Sequence, residues 1–192
     1  MPSVDILERV LLTGGIGDPH GFLFPLSKNL GFLSVNKQTR QESLPLAYRT
    51  TAFHLEDVDD LLKLLVAVGE TGRNNIESLY FPWESRSDLQ RKWKDNPHAD
   101  DHSLQLPNLH VIKCVQLLKQ CSRLRSLRLY FESDLIDQID PARFRSDPGI
   151  QALQSVRVDK VEVYSLGHES LEQHALIHWL KAEMERTPPM HT

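Results

Sequence analysis

Apolar and polar positions alternate along this chain in two rhythms. One is the three-to-four spacing of a helix buried on one side, and the other is the every-second-residue spacing of a half-buried strand. The clearest helical stretch is 57–68, where Val58, Leu61, Leu62, Leu65 and Val68 share a face. Glu56, Asp57, Asp59 and Asp60 stand at its start, where the helix dipole favours carboxylates, and Gly69 follows as a left-handed stop. A second helix is predicted over 108–121, with Asn108 as N-cap and Val111, Cys114, Val115, Leu118 and Cys121 inward. A third is predicted from Glu169 to Arg186, and a shorter one over 3–12. From about Ser27 another helical run begins, which Pro45 should end near Leu44 because proline disfavours the α conformation in the residue before it. Thr50 to Leu55 reads as a strand. Residues 84–107 are polar and aperiodic, and read as an inserted loop.

Three segments repeat one pattern, apolar-x-Ser-apolar-x-apolar: Ile76 to Phe81, Leu124 to Leu129, and Leu153 to Val158. This is the strand core of a leucine-rich repeat, whose apolar positions face helices while the intervening ones face outward from a parallel sheet. Phe53 and Leu55 suggest a weaker fourth copy. The competing reading is an ordinary α/β domain in which the shared serine is a coincidence. Helices fall between the strands, as parallel crossovers require, and favour the repeat. The expected fold is therefore α/β: a short leucine-rich-repeat-like half-solenoid over 50–186, with a polar insert at 84–107, a helical segment at 3–49 before it and a tail at 187–192. Leu79, Leu127 and Val156 should point inward. Tyr80, Arg128, Tyr130, Arg157 and Asp159 should point outward and form a partner-binding surface, since tyrosine and arginine most often anchor interfaces.

Charge and composition narrow the function. With 22 Lys and Arg against 26 Asp and Glu, the formal net charge of −4 offers no basic excess for general nucleic-acid binding. No apolar run approaches the roughly 20 residues of a membrane span. The start, MPSVDILERVLL, carries Asp5, Glu8 and Arg9 within its apolar run and is not read as a secretory signal. Cys114 and Cys121, seven residues apart on one helix, would be separated by ~10 Å, too far for a disulfide. Free buried thiols fit a reducing compartment, so the expected location is cytoplasmic or nuclear.

The run from Leu33 to Arg49, with Asn36, Gln38, Arg40, Glu42, Leu44-Pro45-Leu46 and Tyr48, followed by Thr51-Ala52-Phe53, resembles the "VNRQIRxEALPLFY…NTF" block of fungal F-box-like proteins. Gly72-Arg73, Ile76 and Ser78-Leu79 are similar to the "GRxxIxSL" block downstream of it. The resemblance covers about residues 8–130. It implies a protein-interaction module, with recruitment of substrates to the adaptor of a cullin-RING ubiquitin ligase as the usual role. The Leu-Pro-x-Glu opening of an F-box helix is absent or degenerate at Val4 to Glu8.

Other motifs have plainer readings. Thr13-Gly14-Gly15-Ile16-Gly17 resembles the glycine turn of NAD(P)-dependent oxidoreductases, which makes that activity the runner-up from a different class. His20 stands where the last glycine belongs, Pro19 where the helix should begin, and no βαβ unit follows, so a turn is the better reading. His174 and His178 have the spacing of helical zinc ligands but fall beside Lys181 on a polar face. His98, Asp100, Asp101 and His102 lie in the polar insert without strands to hold them as a cage. Asp134, Asp137 and Asp140 suit a solvated edge. No nucleophile, P-loop or C-x-x-C motif occurs, so the expectation is a binding protein without catalytic, cofactor or metal site. A structural subunit of a larger complex is the third class considered.

Overall fold

The computed structural model describes residues 37–95 and 106–185. The helix expected at 3–12, the turn expected at Gly14 to Gly17, the HADDH cluster and the expected tail lie outside the described residues, and of the helical segment expected at 3–49 only Lys37 onward is described. In chain order the elements are α1 (Lys37–Thr50), β1 (Ala52–His54), α2 (Val58–Ala67), α3 (Gly69–Arg73), β2 (Ser78–Pro82), α4 (Arg86–Asp95), α5 (Val111–Leu118), β3 (Ser126–Phe131), α6 (Ser133–Gln138), α7 (Pro141–Ser146), α8 (Pro148–Gln154), β4 (Lys160–Ser165) and α9 (Ala175–Met184).

The four strands form one sheet in the order β1-β2-β3-β4, every pair parallel. Strand order thus follows chain order, and each connection carries helix, as a parallel crossover demands. Phe53, Leu79, Leu127 and Val161 lie in one row across the sheet and all are buried. Behind them α2 packs on α5, α5 on α8, and α9 on β4, closing a single core. Leu61, Leu65, Val115, Leu118, Ile150 and Leu180 complete it from the helices.

Local sequence accounts for the helix ends. Asp57 caps α2, its carboxylate accepting from the Asp60 N–H at 2.7 Å. Gly69 takes the left-handed conformation expected of it, with φ 62°. Asp140 and Asp147 each cap a helix whose first residue is proline, accepting from Arg143 N–H and Ile150 N–H at 2.9 Å. Gly149 lets α8 approach α5 closely: a Cβ there would sit 2.9 Å from Val111 Cγ1.

Several expectations need correction. The third repeat strand, Leu153 to Val158, is instead the end of α8 and the turn after it, while β4 begins at Lys160. The Asp147-Pro148 pair is the cause, because it starts a helix that consumes the segment. Pro45 does not end α1, which runs on to Thr50. Proline removes one intrahelical N–H, at a cost of about 3 kcal/mol. Burial of Ala47 and Tyr48 beyond it offsets that loss, with Tyr48 set against Phe53 at 6.3 Å between ring centroids. Asn108 is not the cap of α5. His110 holds that place with φ 63°, and the Asp88 carboxylate accepts from the Asn108 and Leu109 N–H groups just before it. The last helix starts at Ala175, capped by His174, six residues later than Glu169. The insert is not irregular at its start either, since Arg86–Asp95 is helical. Ser85 is buried before it, donating its hydroxyl to Asp59 at 3.0 Å.

Candidate functional site

One face of the sheet is packed under helices, and the strand residues of the other are half-exposed except Lys160, which is exposed. Its rows follow from register. His54, Tyr80, Arg128 and Glu162 lie side by side across all four strands. Pro82, Tyr130 and Tyr164 form the next row toward the strand C-termini, and Ser78, Ser126 and Lys160 the row on the other side. The alternation continues past the strand ends, where backbone bonds run from Leu55 N–H to Tyr80 O, Trp83 N–H to Tyr130 O and Leu166 N–H to Phe131 O. Leu55, Trp83, Phe131 and Ser165 are buried there, while Glu56, Glu84, Glu132 and Leu166 are not.

The side chains of the central row bind one another. His54 meets Tyr80 edge-on at 4.6 Å, and the Arg128 guanidinium lies over Tyr80 at 4.6 Å and over Tyr164 at 5.2 Å. The same guanidinium donates from Nε and Nη2 to Glu162 Oε2 at 2.8 and 2.6 Å, and Lys160 pairs with Glu162 Oε1. Tyr130 packs on Tyr164 at 6.0 Å and meets His168 edge-on at 5.6 Å. His168 holds a left-handed backbone, φ 67°, in the loop after β4.

Electrostatics follow these contacts. The ammonium of Lys160 and then the Arg128 guanidinium hold the Glu162 carboxyl below its ordinary range, against the opposing effect of partial burial. Partial burial alone would lower the Arg128 value, but its bonds to Glu162 and the nearby Tyr130 raise it. At the C-terminal end the balance reverses. Burial raises the Asp57 and Glu84 carboxyls, and Glu84 is raised further by the charges of Asp57 and Glu132. Arg86 pairs with Glu56 and lies 3.8 Å from Asp57, whereas Glu84 and Glu132 have no ion-pair partner among the described residues.

Of the residues singled out in the sequence, Tyr80, Arg128 and Tyr130 stand together on this face. Arg157 and Asp159 do not share it as strand positions. They lie exposed in the segment between α8 and β4, where Asp159 N–H donates to Arg125 O. The outward residues of the last strand are Lys160, Glu162 and Tyr164. Likewise Val161, not Val156, is the inward partner of Leu127, although Val156 is buried as well. His54, Glu162, Tyr164 and His168 were missed. The alternation of KVEVYS carries the signal for Glu162 and Tyr164, and nothing local marks His168.

Other candidates that fall within the described residues have these settings. His174 caps α9 and sits 4.0 Å from Asp137, and His178 is exposed. Lys181 pairs with Glu172 at 2.8 Å, in keeping with a wet helix face. Cys114 and Cys121 are free and buried, their thiols pushed up to about 12 chiefly by burial, so neither is a ready nucleophile at neutral pH. No cluster of three or more His, Cys, Asp or Glu suited to a metal occurs among the described residues, and no described helix is long and apolar enough to cross a membrane. Searches of protein families, curated proteins and solved structures find no match to this chain.

Proposed function

We propose that this chain is a protein-interaction module that binds its partner on the outward face of the parallel sheet, in a short leucine-rich-repeat-like half-solenoid. The observation that carries the reading is the lateral row His54, Tyr80, Arg128 and Glu162 backed by Tyr130 and Tyr164. An interface core needs large, flat, rigid side chains whose polar atoms already have partners, so that little ordering or desolvation cost falls on association. Arg128 meets that need: Glu162 binds it and Tyr80 and Tyr164 sandwich it, leaving a pre-arranged aromatic and charged surface.

The half-solenoid reading rests on in-order parallel strands with a shared register. Ile76, Leu124 and Val158 precede strands in which Leu79, Leu127 and Val161 align, so the third copy of the repeat is Val158-Asp159-Lys160-Val161-Glu162-Val163 with lysine in the serine position. Recruitment to the adaptor of a ubiquitin ligase would be the role of the F-box-like segment at 3–49. In this proposal it is secondary to partner binding by the sheet.

The test compares the proteins retained by the tagged wild-type chain with those retained by a Tyr80→Ala/Tyr130→Ala double variant whose urea midpoint shows it to be folded. A partner held by the former and lost from the latter supports the proposal. Identical sets would remove the sheet face from the binding site.

A further inference from the structure

The outward face is graded in charge along the strands. At the N-terminal end stands Lys160 beside two serines, in the middle Arg128 and Glu162 cancel, and at the C-terminal end come Glu84, Glu132 and exposed Leu166 beyond Pro82, Tyr130 and Tyr164. Tyr80 and Tyr164 already carry the guanidinium of Arg128. Tyr130 has no cation over its ring among the described residues, and Glu84 and Glu132 follow the strands just beyond Pro82 and Tyr130 with no ion-pair partner among them.

We propose that this end of the face receives a cationic side chain, Lys or Arg, from an extended segment of a partner protein, its stem lying on Pro82 and Tyr130 and its charge reaching Glu84 and Glu132. The proposal rests on the sheet face being the binding surface and adds the chemistry of what binds there. Charge complementarity selects the occupant. An acidic segment would meet two carboxylates that already repel one another, and a neutral one would leave Glu132 without an ion pair among the described residues and Glu84 with only the weak attraction of Arg86. A second copy of this chain would offer from the same face, among the described residues, only Lys160 and Arg128, whose charges are already bound to Glu162. Arg128 shows the geometry on the same sheet, a guanidinium laid over tyrosine rings with a glutamate at its edge. The unbound protein holds Glu84 in an unfavourable setting that an incoming cation would relieve: burial first, then the charges of Asp57 and Glu132, raise its carboxyl against the smaller effect of Arg86.

The test is fluorescence anisotropy with the full chain and four labelled peptides of equal length, alternating Ser with Arg, Lys, Gln or Glu. The Arg and Lys peptides are expected to bind, to weaken about fivefold or more in a Glu84→Gln/Glu132→Gln variant, and to be released by salt near about 0.5 M. The variant should keep the wild-type urea midpoint or exceed it, which separates lost binding from lost folding. No binding of the Arg or Lys peptide up to about 1 mM, or binding unaffected by the double variant, overturns the proposal. Binding of the Gln or Glu peptide that Tyr130→Ala abolishes would overturn the cationic occupant while keeping the sheet face. Cation binding lost in the double variant but untouched by Tyr130→Ala and Tyr164→Ala would overturn the sheet-face reading itself.

Discussion

Leu127 and Arg128 are neighbours in β3, yet one is fully buried among helices and the other lies 30% exposed across a row of aromatic rings. The same alternation runs through Leu79 and Tyr80 and through Val161 and Glu162. The inner face is aliphatic, and its worth comes from the area it removes from water. The outer face is aromatic and ionic, and its groups bind each other in place. On the proposed reading, one set of strands separates stability from recognition by residue parity. Substitutions at odd and even positions should then fail in different assays.

The largest effect is expected at the inner face. Leu127→Ala should destabilise the fold by ~3–5 kcal/mol, read as a shift in urea midpoint at constant slope, because its surroundings on β2, β4 and the helices leave a cavity. A loss below about 1 kcal/mol would mean the sheet is not packed as described. Next comes the segment that sets where β4 begins. Asp147→Ala removes the carboxylate that accepts from Ile150 N–H and should cost about 1 kcal/mol, with Asp147→Asn close to wild type. Equal losses for both variants would show that the cap is not what matters there.

Arg128→Ala should cost about 1 kcal/mol of stability, since Glu162 keeps Lys160 as partner while the two tyrosines lose the cation between them. Partner binding should fall by more than stability does. Smallest is Glu84→Gln, expected to raise stability on the order of half a kcal/mol at neutral pH. The sign follows from linkage. The folded-state value of Glu84 is raised by burial and by Asp57 and Glu132, so the folded protein holds that proton more tightly. The penalty is fully present above the folded value and vanishes as pH falls below the ordinary carboxylate range. The gain from Glu84→Gln should disappear over the same window, measured as urea midpoints from neutral to acidic pH. A gain independent of pH would trace to packing instead of charge.

Much of this arrangement was legible in the sequence, and the errors have physical causes. The apolar-x-Ser-apolar pattern located β2 and β3 and put Tyr80, Arg128 and Tyr130 on the right face. The same serine misled at Leu153 to Val158, where a matching string sits at the end of a capped helix. Asp147-Pro148 was the local signal that should have outranked it, and the uninterrupted alternation from Val161 to Ser165 marked the true strand. Pro45 was read by its local bias alone, while Tyr48 and Ala47, buried by tertiary contacts that no local pattern records, carried α1 through it. The start of α5 depends on Asp88, which lies 20 residues away from Asn108 in sequence. The pairing of Arg128 with Glu162 required knowing which strand stands beside β3, and register alone reveals it.

The separation of faces can be tested most directly with one captured partner and two pairs of variants, measuring affinity by titration calorimetry alongside urea midpoints. Arg128→Ala and Tyr130→Ala alter the outward sheet face, while Lys113→Ala and Gln116→Ala alter exposed positions of α5 on the helix side. The account predicts affinity losses of about fivefold or more for each sheet variant, with midpoints shifted by no more than about 1 kcal/mol, and wild-type affinity for both α5 variants. Loss of affinity in the α5 variants with none in the sheet variants would place the interface on the helices and contradict it.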